Sequence, residues 1–398
     1  MYDPTEGGAN RGLPIKQYLQ DQKAIEIAVV WNSKIGQSQF WQGARLAAKE
    51  INSLPSTHFP RIQLNEIDSR PYLEQFHFNR SDEGRYRNAS QLAAKSLADD
   101  VLANNQNVAV VGHAYGDGTA KNALLRYERA GILFLSSATA SDRITSLEAP
   151  LAFALFPTQE ALAARSARFL EVQGVDRLIL IQERSGLMAG EDPAPHFLKA
   201  LAHEGIKDAE VLSFKSKRGD RTATVARVTE ELISRIDKGD SRVGIVILTQ
   251  QKLAQLIYRQ LEILDLKPTI LTVTRTDNGD LAGGYEGFTF VDIFAPDRSY
   301  LAGQFTQEFK KHSPGNQPTN YAAVGYDHIK FLYQAMMCAG TTDPGTVALT
   351  IRYHMPIWRG VTGPFSFMRS SENLFQSNII FRQYQKKDGK IQAVTLDL

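Results

Sequence analysis

Val108-Ala109-Val110-Val111-Gly112 and Ile132-Leu133-Phe134-Leu135-Ser136 are two short apolar runs, separated by the amphipathic stretch Thr119–Ala130. A strand with only one buried face alternates apolar and polar residues, whereas a strand covered on both faces reads as a continuous apolar run. Two such runs joined by a helix form a strand–helix–strand unit with parallel strands. The rhythm repeats in both directions. Strands are expected at Ile25–Val30, Ile62–Asp68, Arg177–Gln182, Val211–Lys215, Val243–Leu248 and Thr269–Val273. Helical patterns cover Phe40–Ile51, Asn88–Leu102, Ala161–Val172, Ala194–His203, Thr222–Ile236 and Lys252–Leu264. In the first of these, Phe40, Ala44, Ala47, Ala48 and Ile51 share a face. So many units exceed one compact sheet, and the chain reads as α/β with two lobes. The tail departs from the rhythm: helices at Leu301–His312 and Tyr321–Ala339 precede strands at Thr362–Phe367, Ile379–Tyr384 and Ile391–Leu396. Asp388-Gly389 between apolar runs signals a hairpin, so an antiparallel appendage is expected to close the chain.

Composition narrows the function classes. The 398 residues include 45 Lys+Arg against 43 Asp+Glu, 43% apolar and 22% charged residues, as in an ordinary globular protein. A net charge of +2 gives no broad basic field, so nucleic acid is not an expected partner. The single cysteine, Cys338, lies in the apolar run Phe331–Ala339 and is expected to be a small buried hydrophobe. No stretch approaches the ~18 apolar residues of a membrane span. Residues Met1–Lys23 read as a polar, glycine-rich extension without the apolar core of a secretion signal. Composition leaves two readings open: a cytoplasmic protein, or an exported chain in its mature form.

Signatures of catalysis are missing. The sequence has no Walker phosphate loop, Gly-x-Ser-x-Gly elbow or His-Glu-x-x-His pair. Gly112–Gly118 follows a strand, but its glycines do not match the dinucleotide-binding register. The eight histidines are scattered, and His113 reads as a loop residue satisfied by backbone. Asp277-Asn278-Gly279-Asp280 reads as a turn, since it lacks the full calcium-loop pattern. No cofactor and no metal is expected.

What remains is a series of polar loops at strand ends: Trp31–Lys34, Gly112–Gly118, Ser136–Ser141, Gln182–Gly190, Thr249-Gln250 and Thr274–Asp277. In open α/β sheets small ligands bind outside the carboxyl ends of the strands. Hydroxyls, amides and helix N-terminal N–H groups there suit a small polar or anionic ligand. Taken singly, each loop reads equally as a helix cap. Trp31 can wall a pocket or seal the edge of a lobe.

The order of these pieces resembles the type I periplasmic solute-binding proteins of ABC transporters, especially the branched-chain amino acid binding group. The resemblance rests on Ile25–Val30 with Gly43–Asn52, on Val108–Gly112 with Ala130–Ala140, on Asn320–Asp327, and on Gly360–Phe367 with Asp388-Gly389-Lys390. It implies two Rossmann-like lobes joined by three crossovers near Phe156-Pro157, Ile293–Pro296 and Gly363–Phe365. The lobes would then be residues 24–156 with 295–363, and 157–294 with 364–398. In the family the ligand carboxylate is held by positions that fall here on Tyr115, Gly116, Ser137, Ala138, Thr139 and Ala140. The second lobe would contribute Arg184, Thr249, Gln250, Arg275 and Asp277, with Trp31 lining the same cleft. Gly116 stands where the family often has serine, and no clear acidic–aromatic pair awaits an ammonium group. Arg184 and Arg275, facing inward, would favour an anion.

The resemblance thus implies a non-catalytic, monomeric, periplasmic protein that captures an amino acid or related carboxylate or amide by hinge closure. Its partner would be an ABC transporter permease. The alternative is a ligand sensor of the same fold that feeds no transporter. An enzyme with a two-lobed cleft is the third reading, and it predicts a catalytic constellation not found in the sequence.

Overall fold

The computed structural model describes residues 11–34, 38–76, 83–114, 118–137, 149–184, 193–215, 221–236, 242–249, 251–265, 268–273, 285–367 and 378–397. The chain divides into two compact units. The first comprises Met1–Phe78, Arg87–Thr158 and Phe294–Asn378; the second comprises Asn79–Tyr86, Gln159–Ile293 and Ile379–Leu398.

The sheet of the first unit contains β1 (Ile25–Trp31), β2 (Ile62–Asp68), β3 (Asn107–Gly112), β4 (Leu133–Ser136) and β5 (Ala152–Ala154). Their order is β2-β1-β3-β4-β5, with every pair parallel. Val30, Gly112, Ser136 and Ala154 stand in one row across four strands, so the strand ends finish level. On one face, Val30, Val110 and Phe134 pack with Leu97, Val101, Ala123 and Tyr127. Elsewhere in the unit the Gln39–Asn52 helix crosses the Asn320–Ala339 helix at backbone contact. A Cβ at Gly43 would overlap the Ala322 carbonyl oxygen, and one at Gly325 would overlap that of Phe40. Two glycines, one per helix, permit this approach.

The second unit is built on β6 (Arg177–Glu183), β7 (Asp208–Phe214), β8 (Val243–Leu248), β9 (Thr269–Thr272) and β10 (Thr289–Asp292), which run parallel. Ile179, Ile181, Ile245 and Ile247 enter one apolar cluster, while Leu178, Leu180, Val246 and Leu248 enter another. Cover on both faces is the physical reason these segments are apolar throughout. The exposed positions of β7 mark it as an edge strand. After β11 (Trp358–Gly360) and β12 (Gly363–Phe365), the closing β13 (Ile380–Lys387) and β14 (Lys390–Thr395) add antiparallel strands beside β10. Asp388 and Gly389 both adopt positive φ, 51° and 75°, as a two-residue hairpin turn requires.

Several expectations shift. The segment Thr362–Phe367 does not join the closing hairpin; its core, β12, pairs with β11 in a separate two-stranded sheet of the first unit. The short strands β5, β10 and β11 were not expected, since their three or four residues carry too little periodicity to mark them. Helix Pro344–Tyr353 was not among the expected helices, although Asp343-Pro344 is its cue: the Asp343 carboxylate accepts from Thr346 N at 2.8 Å with proline in the first turn. The polar N-terminal stretch contains the Ile15–Asp21 helix, with Tyr18 buried and its hydroxyl 3.3 Å from Thr342 Oγ1. Arg11 donates to the Asn107 and Ala130 carbonyls, each at 3.0 Å. Cys338 is exposed, not buried. In its helix Phe331, Leu332, Ala335 and Met336 face inward, and Cys338 lies one turn beyond exposed Gln334, whose Nε2 donates to its sulfur at 3.2 Å.

Candidate functional site

The carboxyl ends of the first unit's strands are tied together by backbone hydrogen bonds. His113 N donates to Val30 O at 2.7 Å, Ser137 N to Gly112 O at 3.0 Å, and Ser69 N to Trp31 O at 2.8 Å. Trp31 closes β1 with its indole fully buried, stacked on Phe40 at 4.2 Å and edge-on to Tyr321 at 5.5 Å. Ser137, just past β4, is buried, and among the described residues its hydroxyl has no hydrogen-bond partner. A buried hydroxyl without a partner costs free energy, which an incoming acceptor or donor would recover.

His113, with φ at 60°, is satisfied by side chains and not by backbone. Its Nδ1 lies 2.9 Å from Thr119 Oγ1 and its Nε2 lies 2.9 Å from Tyr127 OH. Complete burial drives its pKa down to about 3, so the ring is neutral. With both nitrogens engaged inside the core, it is a structural residue.

In the second unit the strand ends carry a different set. Thr249, following β8, donates its hydroxyl hydrogen bond to the carboxylate of Glu183, the last residue of β6, and both are buried. Arg184 N donates to Phe214 O at 2.8 Å, and Arg184 Nε to Ser213 Oγ of β7 at 3.1 Å. Thr272, ending β9, is buried, and its hydroxyl has no partner among the described residues.

Of the predicted site residues, the first unit therefore places Trp31 and Ser137 on one strand-end edge, and the second places Arg184 and Thr249 on its own. Tyr115, Gly116, Ala138, Thr139, Ala140, Gln250, Arg275 and Asp277 lie outside the described residues. The sequence reading missed Thr272 as a member of this edge, and placed Glu183 in the strand-end loop Gln182–Gly190 without naming it as a site residue. Glu183 had a legible cue, a carboxylate closely following the apolar run Leu178–Ile181; Thr272 looked like ordinary strand. Among the described residues, no three His, Cys, Asp or Glu side chains are grouped to hold a metal ion, and no helix is long and apolar enough to cross a membrane.

Parallel sheets whose level carboxyl ends present hydroxyls, a carboxylate and a guanidinium define a class of small-ligand-binding α/β proteins. A family model described as periplasmic binding protein matches residues 89–390, and the chain belongs to that family. No curated protein matches the chain. The fold is that of solved type I binding proteins. An ABC transporter substrate-binding protein from Desulfitobacterium hafniense, in complex with Leu, superposes with a TM-score of 0.68 at 22% identity, covering 94% of this chain and 100% of its own. A leucine binding protein from Thermotoga maritima gives 0.68 at 18% identity, with 94% and 99% covered. A solute binding protein of an ABC transporter from R. palustris, in complex with 4-hydroxybenzoate, gives 0.70 at 15% identity, with 94% and 96% covered. The family is described by binding, and these neighbours are a substrate-binding, a leucine binding and a solute binding protein.

Proposed function

We propose that the protein is an extracytoplasmic solute-binding protein that captures a small organic carboxylate, an amino acid or a related acid or amide, and delivers it to an ABC transporter permease. The observation that carries this reading is the buried, unpartnered Ser137 hydroxyl at the level carboxyl edge of the first sheet. In this reading Ser137, with Tyr115, Gly116, Ala138, Thr139 and Ala140, receives the carboxylate; Trp31 backs the same edge. Arg184, Thr249, Gln250, Arg275 and Asp277 meet the rest of the ligand from the second unit, with Glu183 behind Thr249. The two units are the family's lobes, linked near Phe156-Pro157 and Ile293–Pro296 and, past β12, which lies within the first unit, near Asn378-Ile379; hinge closure traps the ligand. Leucine and 4-hydroxybenzoate, held by two of the structural neighbours, share a carboxylate on an apolar body, which supports the acid class.

A thermal-shift screen over amino acids, aromatic acids, other carboxylates and amides tests the proposal. A true ligand raises the unfolding temperature with the logarithm of its concentration. Ser137→Ala should weaken it about tenfold to a hundredfold, the worth of one hydrogen bond to a charged group. If no acid or amide shifts the transition, or Ser137→Ala leaves affinity unchanged, the assignment of this edge fails. The sensor reading is separated by reconstitution: ligand uptake driven by a permease requires the carrier role.

A further inference from the structure

We infer that Arg298 is a positioning residue for hinge closure: it clamps the third crossover to the first unit, so that this strand pivots at Asn378-Ile379. The inference rests on the proposed closure of the two units. The chain passes from the second unit to the first between Ile293 and Phe294, and back again between Asn378 and Ile379. These two crossover strands are tied to each other on both sides of the junctions. On the second unit's side, β10 pairs antiparallel with β13, with Asp292 opposite Ile380, and buried Arg382 places its Nη1 3.4 Å from the Asp292 carboxylate. On the first unit's side, Arg298 donates through Nη1 to Asn378 O at 3.0 Å and to Thr362 O at 2.7 Å. Thr362 is itself held, since the Asp327 carboxylate accepts from its N–H at 2.8 Å and from its hydroxyl at 2.6 Å.

The placing of these ties decides where the strand can turn. In the third crossover only Ile379 lies between Asn378, held through its carbonyl, and Ile380, held in the ladder. Ile379 is anchored too, by burial in the second unit's core with Phe169 and Phe381. In the other crossover Ile293–Asp297 lie between the ties. Hinges are a few residues that absorb the change in φ and ψ, and in the third crossover the clamp confines that change to the bonds flanking Ile379. Gly363 of β12 is shaped to this clamp. Its φ is 112°, and a Cβ on it would lie 2.4 Å from Asn378 Oδ1 and 2.8 Å from Arg298 Nη2. Glycine lets both side chains settle on the strand's backbone. Asn378 Oδ1 is buried with no hydrogen-bond partner among the described residues. An orphaned buried acceptor costs free energy that a turn of Asn378 can recover.

Spin labels on Leu125→Cys in the first unit and Ile263→Cys in the second, both exposed positions, report the distance between the units by double electron–electron resonance. Exposed Cys338 is replaced by serine, and the full chain is measured with no ligand added. Arg298→Gln should widen the distance distribution, because the tie at Asn378 is lost. Arg298→Lys keeps the charge on an unforked side chain and should widen it less; it carries the test if the glutamine variant does not fold. Gly43→Ala is the control: it loosens the helix pair of the first unit, so it should lower the unfolding temperature and leave the distribution as in the wild type. A distribution unaltered by either Arg298 variant, or widened as much by Gly43→Ala, would overturn the pivot. Neither result would touch the ligand assignment of the strand-end edge, which the affinity of Ser137→Ala tests separately.

Discussion

Two buried histidines make the protein's stability depend on pH through a mechanism visible residue by residue. Burial holds His113 near 3 and His328 near 4, both below the ordinary 6.5. His328 is fixed by Val324 O at 2.7 Å from its Nδ1, with Ser136 O 3.4 Å from its Nε2. The unfolded chain therefore binds protons that the folded chain refuses. The stability these residues contribute is complete above pH 6.5 and is lost as pH falls through the folded values. Asp327 acts in the opposite sense: burial raises it from 3.8 to about 6, partly offset by its hydrogen bonds from Thr362 and Val361. Its contribution is present below 3.8 and is lost as pH rises through 6. Two protons against one leave a net loss of about 1.4 kcal/mol per pH unit on acidification between pH 6 and 4. Chemical denaturation across this range measures the slope. His113→Gln should remove one histidine's share, and an unaltered slope would contradict the assignment.

At the scale of elements, close approach and backbone capture define the first unit. Gly43 and Gly325 let two helices touch along their backbones. Gly325→Ala should force them apart at a cost of about 1–3 kcal/mol, the usual penalty for overpacking, read as a lowered unfolding temperature. Asp327 then joins the Asn320–Ala339 helix to the strand pair β11–β12 through Val361 and Thr362. Arg298 holds the same segment by donating to Thr362 O at 2.7 Å and Asn378 O at 3.0 Å. Asp327→Ala would leave two buried N–H groups without acceptors, about 1–3 kcal/mol each. Thr362→Val, which removes only a hydroxyl, should cost about 1 kcal/mol. Equal effects for the two variants would show that the carboxylate is not the anchor.

For the whole molecule, the proposed carrier role makes one demand of solution behaviour: ligand binding must draw the two units together. Small-angle scattering at saturating ligand should give a smaller radius of gyration than the free protein, and Ser137→Ala should need a higher concentration for the same change. An unchanged radius at saturation would count against hinge closure. The near-neutral net charge of +2 suits this role, since a small acid needs local donors and not a basic field spread over the surface.

The sequence by itself determined the α/β class, the parallel strands and the closing hairpin, because strands covered on both faces must be apolar throughout and a two-residue turn must hold Asp-Gly or its like. It also marked the strand ends at Trp31, Gly112, Ser136, Glu183 and Leu248 to within a residue, since a polar break after an apolar run is a local property. Only the tertiary structure decided what those residues meet. Burial of Trp31 under Phe40 and Tyr321, the side-chain partners of His113, the joining of Glu183 to Thr249 and the exposure of Cys338 all depend on neighbours distant in the chain or on which face of a helix is covered. Short strands such as β5 and β11 belong with these. Their pairing, not their own few residues, makes them strands.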